Sequence, residues 1–237
     1  MNVVMEIVDV NSFKSIFSTI DSIIESVTFE CYEDRVEINA LDKSNTIFMS
    51  CKLYEDYFVK YNIKEPDRFS VDVSELKKCL KSCKNNLIVK FDESYCHLIS
   101  ESKKFKIFLL NDDFSTPKPK MGREYDYSTH VPVKEMKEMT KNIELFSRDV
   151  NIITSPDDIS FCTQSHMGEF SCSYGASDGE MKETDNYYSI EKVKTCLGSD
   201  KVADSVLLQG CTDYPLFLTF ENDGINVQYM IAQIIKE

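Results

Sequence analysis

The chain has 237 residues, 42% of them hydrophobic, and carries a formal net charge of −13 at neutral pH. That length holds one large domain or two smaller ones, each with a real core, and no apolar run approaches a membrane span. The charge argues against a surface that binds nucleic acid all over, yet leaves room for one segregated basic face.

The first residues, Met1 to Val10, include Glu6 and Asp9 and no basic cluster, so they do not read as a secretory signal and an intracellular protein is expected. The nine cysteines include no C-x-x-C pair. Cys31, Cys51, Cys79, Cys172 and Cys196 stand where a strand or helix pattern wants a small apolar residue, so they read as buried reduced thiols.

A short strand, Val3 to Val8, leads into the stripe Phe13, Ile16, Phe17, Ile20, Ile24, which is one face of a helix. Asn11 or Ser12 is the expected N-cap. Period-two alternation follows: Val27, Phe29, Cys31, then a turn at Glu33-Asp34, then Val36, Ile38, Ala40, then Ile47, Met49, Cys51, Leu53. Such close succession predicts an antiparallel meander. A second helix is expected from Ser74, as its cap, to Lys84, with Val73, Leu76 and Leu80 inward. Leu87 to Phe91, Tyr95 to Ser100 and Phe105 to Leu109 read as three closing strands.

The second half repeats this order. Phe13 aligns with Met136, Ile20 with Ile143, Phe29 with Ile152, and Val36-Ile38 with Ile159-Phe161. Leu76 to Leu80 aligns with Val193 to Leu197, and Leu216 to Tyr229 forms a closing hairpin turning at Asn222-Asp223-Gly224. Between the halves, Asn111 to Tyr125 lacks periodicity and contains Pro117 and Pro119. The expected organisation is therefore α+β: domain one over 1–110, a linker over 111–124 and domain two over 125–237, with two helices on antiparallel sheet in each domain.

Particular segments resemble the PCNA sliding clamps of archaea, eukaryotes and some viruses. Asn39-Ala40-Leu41-Asp42-Lys43-Ser44 resembles that family's "AMDxS" turn, and Phe69 to Lys81 its strand-to-second-helix segment. Asp213-Tyr214-Pro215-Leu216 and Tyr229-Met230-Ile231-Ala232 resemble its "DxPL" and "YxxAP" signatures. The resemblance runs the length of the chain in order. It implies a homotrimeric ring, helices lining the hole and sheets outside, put onto duplex DNA by an ATP-driven clamp loader. It also implies a processivity factor for DNA polymerase and a platform for replication and repair proteins, with no cofactor and no chemistry of its own. The compartment implied is the nucleus for a eukaryotic source and the cytoplasm for an archaeal or viral one.

On the expected helices, the faces left after removing the apolar stripe carry Lys14, Lys78, Lys81, Lys84, Lys134, Lys137, Lys141 and Lys194 as candidate DNA contacts. Of these, Lys14, Lys78, Lys81 and Lys141 match positions where the family has basic bore residues. Asp21 and Glu191 stand where it often has bases, so a modestly positive bore is expected. Lysines contact phosphates as exchangeable points, which suits sliding, and ring closure rather than net attraction must hold so acidic a protein on DNA.

The resemblance maps a groove for short hydrophobic and aromatic client peptides onto Leu41, Asn45, Met121, Tyr125, Pro215, Met230, Ile231, Ala232, Gln233 and Ile234. Gln233 replaces a typical proline, and Pro117-Lys118-Pro119-Lys120-Met121 replaces an apolar triplet, so an altered client motif or weaker binding is expected. The subunit joint maps to Phe105, Ile107 and Leu109 on one strand and Phe170, Cys172 and Tyr174 on another.

Catalysis has little support. His97, His130 and His166 make no metal-ligand spacing, and there is no P-loop, G-x-G-x-x-G or nucleophile elbow. A checkpoint-type or heterotrimeric clamp subunit, or a viral non-trimeric processivity factor, keeps the fold and changes the role.

Overall fold

The structure is a computed structural model and describes residues 3–119, 124–175 and 181–235. The first half runs β1 (Val3–Ile7), α1 (Val10–Ile20), β2 (Ser26–Cys31), β3 (Arg35–Leu41), β4 (Ile47–Tyr54), β5 (Phe58–Ile63), β6 (Asp67–Asp72), α2 (Val73–Lys81), β7 (Leu87–Phe91), β8 (Tyr95–Ser100) and β9 (Lys103–Phe108). The second runs β10 (Tyr127–Pro132), α3 (Val133–Glu144), β11 (Asp149–Thr154), β12 (Asp158–Ser165), β13 (Gly168–Gly175), β14 (Thr184–Ser189), α4 (Ile190–Cys196), β15 (Ser205–Gly210), β16 (Leu216–Asn222) and β17 (Ile225–Ile231). The two lists correspond one to one apart from β5, which has no counterpart among the described residues.

Helix starts follow local chemistry, with corrections to the expected caps. Asp9, not Asn11 or Ser12, caps α1 by accepting from the Ser12 N–H at 3.1 Å. Asp72, not Ser74, caps α2 through the Glu75 N–H at 2.9 Å. A carboxylate one residue before the first buried apolar residue satisfies an orphan donor and complements the helix dipole. Two helices also end earlier than read: α2 at Lys81, and α1 before Ile24, which packs on the core from beyond the following turn.

Three antiparallel sheets form. One has the order β5-β1-β7-β8-β9, a second β13-β12-β11-β14, and the largest, of eight strands, β10-β15-β16-β17-β4-β3-β2-β6. The last crosses from one half to the other where β17 pairs with β4, from Ile225 opposite Leu53 to Ile231 opposite Ile47. One apolar core lies between helices and sheets. Phe17, Phe29, Phe91 and Phe69 stack through it with centroids 5.4, 5.1 and 4.5 Å apart. Each such side chain contributes about 1.5–3 kcal/mol by leaving water.

A second seam joins the halves. Ser12 Oγ on α1 donates to the Lys201 carbonyl at 2.6 Å, just beyond the short turn Leu197–Ser199 that follows α4. Six of the nine cysteines are buried, whereas Cys79, Cys162 and Cys172 are half-exposed, which corrects the reading of Cys79 and Cys172.

Candidate functional site

Seven of the eight lysines lie on the helices and Lys84 follows just beyond the end of α2, and they fall into two groups. Lys81, Lys84, Lys134 and Lys141 are exposed, with no ion pair among the described residues. The others already hold partners. Lys14 Nζ donates to the Cys83 carbonyl, Lys78 pairs with Glu75 at 2.7 Å, Lys137 with Asp200 at 2.6 Å and Lys194 with Glu144 at 2.7 Å. Lys77, also on α2, is taken by Asp21 at 2.6 Å. Surface pairs of this kind are worth about 0–1 kcal/mol, so a phosphate can displace the carboxylate. The face is mixed in charge, with four cations ready and four more, Lys77 included, behind acidic partners.

A second feature lies on the outer face of the eight-stranded sheet. Strand register aligns Leu41 with Phe48, Phe48 with Met230, and Met230 with Phe217, so these side chains form one row. Tyr125 closes it from above, its ring edge-on to Phe217 at 5.2 Å. At one end is the turn after β3. Asp42 Oδ1 accepts from the Thr46 and Ile47 N–H groups at 2.6 and 2.7 Å, and Asn45 takes a left-handed φ of 56°. Burial raises the Asp42 carboxyl, but these bonds and those from the Ser44 and Thr46 hydroxyls outweigh it and lower its pKa. At the other end is the loop holding Tyr214 and Pro215.

The expected groove residues divide accordingly. Leu41, Asn45, Tyr125, Pro215, Met230 and Ala232 line or flank this row. Ile231 does not, because it is fully buried between Ile47 and Leu216 in the core. Gln233 turns inward, its Nε2 donating to Asn186 Oδ1 at 2.9 Å, and the Ile234 N–H donates to the Tyr187 carbonyl at 2.7 Å. Met121 lies outside the described residues. Sequence reading missed Phe48 and Phe217, which are also buried but in this row rather than in the main core that holds Ile231. Both sit on the face that alternation assigns to solvent, and the signal was the unbroken apolar runs Ile47-Phe48-Met49 and Leu216-Phe217-Leu218.

The third feature is a pair of open strand edges. β9 ends one sheet and β13 ends another, and neither has a partner on its outer side among the described residues. On β9, Ile107 is buried, Phe105 packs on the core and Phe108 is exposed, and Leu109, just past the strand, also packs on the core. On β13, Phe170, Cys172 and Tyr174 pack on the core from the edge. A cleft of 730 Å³ opens beside β9, with Arg68, Asp92, Tyr95, Phe108 and Asp113 among its lining. Among the described residues no group of His, Cys, Asp or Glu is arranged to hold a metal, and no helix is long and apolar enough to cross a membrane.

Two helix-bearing halves sharing one sheet, with open edges at β9 and β13, make the α+β clamp fold. Residues 4–108 match the family profile of the proliferating cell nuclear antigen N-terminal domain. Over 221 residues the chain is 28% identical to the "DNA polymerase sliding clamp" of Methanothermobacter thermautotrophicus, covering 91% of this chain and 90% of that protein. The proliferating cellular nuclear antigen of Entamoeba histolytica superposes with a TM-score of 0.89 at 20% identity, covering 99% of this chain and 100% of that one. A chain of the PCNA2–PCNA3 complex from Sulfolobus tokodaii superposes with a TM-score of 0.88 at 18% identity, covering 97% and 98% respectively. Residues 4–108 thus carry the PCNA N-terminal profile, and nearly the whole chain is similar in sequence and fold to PCNA-type sliding clamps.

Proposed function

We propose that this chain is a non-catalytic subunit of a homotrimeric ring that encircles duplex DNA without reading its sequence. In this reading it serves as a processivity factor for DNA polymerase, docks replication and repair clients by short hydrophobic peptides, and is placed on DNA by a clamp loader. The domains are 1–110 and 125–237, joined by the linker 111–124.

The observation that carries the ring is the internal repeat. In the correspondence of the halves, β9 is the counterpart of β17 and β13 the counterpart of β4, and β17 and β4 are the two strands that pair across the halves. The open edges are thus the same two surfaces, left unpaired in one chain and complementary between copies. Hairpin registers extend the argument to residues. Lys103 corresponds to Ile225 and Gly175 to Tyr54, from Ser100 opposite Lys103, Asn222 opposite Ile225, Asp158 opposite Gly175 and Arg35 opposite Tyr54. Copying the β17–β4 register then sets Phe105 opposite Cys172, and Ile107 opposite Phe170, of the next copy.

Retention on DNA follows from closure. A chain of net charge −13 with a mixed helix face makes weak, salt-sensitive phosphate contacts. Long residence is therefore expected on circular DNA and brief residence on linear duplex.

The test is covalent. Phe105→Cys should cross-link to native Cys172 of a neighbour under mild oxidation and give a species near three times 27.3 kDa. Lys106→Cys, on the opposite face of the strand, should not. Equal cross-linking by both variants, or by neither, removes the edge-to-edge reading.

A further inference from the structure

One buried side chain holds both the loop at one end of the hydrophobic row and the C-terminal tail. Asn186 on β14 is fully buried. Its Nδ2 donates to the Cys211 carbonyl at 3.1 Å, while its Oδ1 accepts from the Asp213 N–H at 3.1 Å and from Gln233 Nε2 at 2.9 Å. The first two bonds fix the loop before Tyr214 and Pro215, where Asp213 takes a left-handed φ of 57°. The third fixes the C-terminal tail. The neighbours on β14 add to both sides: the Tyr187 carbonyl accepts from the Ile234 N–H at 2.7 Å, and Tyr188 Oη donates to the Tyr214 carbonyl at 2.8 Å.

The repeat shows that a polar group is not what packing asks for at this position. β6–α2 corresponds to β14–α4, which sets Asn186 against Phe69, and Phe69 is a buried ring stacked 4.5 Å from Phe91. In the first half the chain after β9 returns directly to the strand, the Leu110 N–H donating to the Ser70 carbonyl at 2.9 Å. In the second half the bond to the corresponding Tyr187 carbonyl comes from Ile234, two residues further along than the hairpin correspondence of Leu110 with Ala232. Gln233, in the longer segment, is the residue that reaches Asn186. A buried amide costs free energy unless its bonds are made, and here three bonds all go to the two groove walls.

We propose that Asn186 is a positioning residue that couples the 211–215 loop to the 232–235 tail and thereby sets the affinity of the groove for a short peptide bearing aliphatic and aromatic side chains. This rests on the peptide-groove reading above. Gln233 is then part of the scaffold rather than a client contact.

The experiment compares full-length wild type, Asn186→Ala and Gln233→Ala by hydrogen exchange and by anisotropy with a labelled synthetic peptide carrying one aliphatic and two aromatic residues. Asn186→Ala should speed exchange in both segments and weaken the peptide about ten-fold, the consequence of losing one buried hydrogen-bonded group. Gln233→Ala should speed exchange in the tail and leave 211–215 protected. It also keeps the coupling testable should the Asn186 variant not fold, because unchanged tail exchange overturns the proposal. Loosening of only one segment in Asn186→Ala, or loosening of both with unaltered peptide affinity, overturns it too. A wild type that fails to bind the peptide while both segments loosen together in Asn186→Ala removes the groove reading and the affinity claim, and leaves the coupling standing on its exchange data.

Discussion

Gly198 approaches Thr19 so closely that a β-carbon on the glycine would lie 2.5 Å from Thr19 Oγ1. Thr19 is on α1 of the first half and Gly198 in the turn after α4 of the second, so this contact sets the distance between the halves on the helix side. Thr19 is buried and its hydroxyl donates to the Ser15 carbonyl at 3.0 Å, which leaves little freedom to yield. Gly198→Ala is expected to cost about 1–3 kcal/mol by overpacking. Adding Thr19→Ala removes the obstructing atom, so the double variant should regain stability relative to additivity, as read by thermal unfolding.

Phosphate binding should follow which lysines are unpaired. Substituting Lys81, Lys84, Lys134 or Lys141 by Ala should each make the slope of log K against log salt shallower, by about 0.9 for every phosphate no longer neutralised. Glu144→Gln should act in the opposite sense, because it releases Lys194 and removes a negative charge from the same face. Titrations of linear duplex at several salt concentrations distinguish the two directions.

The segment around Asp113, which follows β9, should loosen in acid. Backbone and side-chain bonds from Ser115, the Arg68 guanidinium and the Thr28 hydroxyl hold the Asp113 carboxyl at about 2, below its ordinary 3.8. A depressed carboxyl contributes order above its ordinary value and loses it as pH falls through the folded one. The protection factor of the Phe114 N–H, which donates to Thr28 Oγ1 at 2.8 Å, should therefore fall as pH drops from about 4 towards 2. Asp113→Asn should show a lower protection factor already at neutral pH, and no further loss across that window.

Thiol labelling should follow burial. Desolvation pushes Cys51 up to about 12 and raises Cys31, Cys96 and Cys196 as well. These should resist alkylation at pH 8 in the native protein. The half-exposed Cys79, Cys162 and Cys172 should label first. In a closed ring Cys172 should become protected while Cys79 stays reactive, and mass spectrometry of labelled peptides reads the difference.

Much of the plan was legible because period and duplication are local properties. The alternation through Val36, Ile38 and Ala40, the α1 stripe from Phe13 to Ile20 and the Asn222-Asp223-Gly224 turn all appear where the residues put them. Gly224 has a φ of 71°, and a β-carbon there would lie 2.5 Å from the Tyr57 backbone nitrogen, so the turn needs its glycine. What was hidden depends on partners far away in sequence. β5 alternates weakly because it is an edge strand exposed on one side. Ile231 looked like a groove residue until the β16–β17–β4 register put it in the core. Asn186 stands in the polar stretch Thr184-Asp185-Asn186-Tyr187-Tyr188, and nothing local marks it as buried. Apart from Lys84, which lies beyond the end of α2, the lysines were correctly assigned to helices, but several of their carboxylate partners come from other elements, as with Lys137 and Asp200.

The β17–β4 pairing has a consequence for how such a ring comes apart. Its two strands belong to one polypeptide, so they meet at the effective concentration of a tethered pair, of millimolar order. The β9–β13 seam between copies forms only at the concentration of free protein. Dilution, denaturant or an opening enzyme should therefore break one kind of seam and spare the other, so the ring yields whole chains and does not fall into halves.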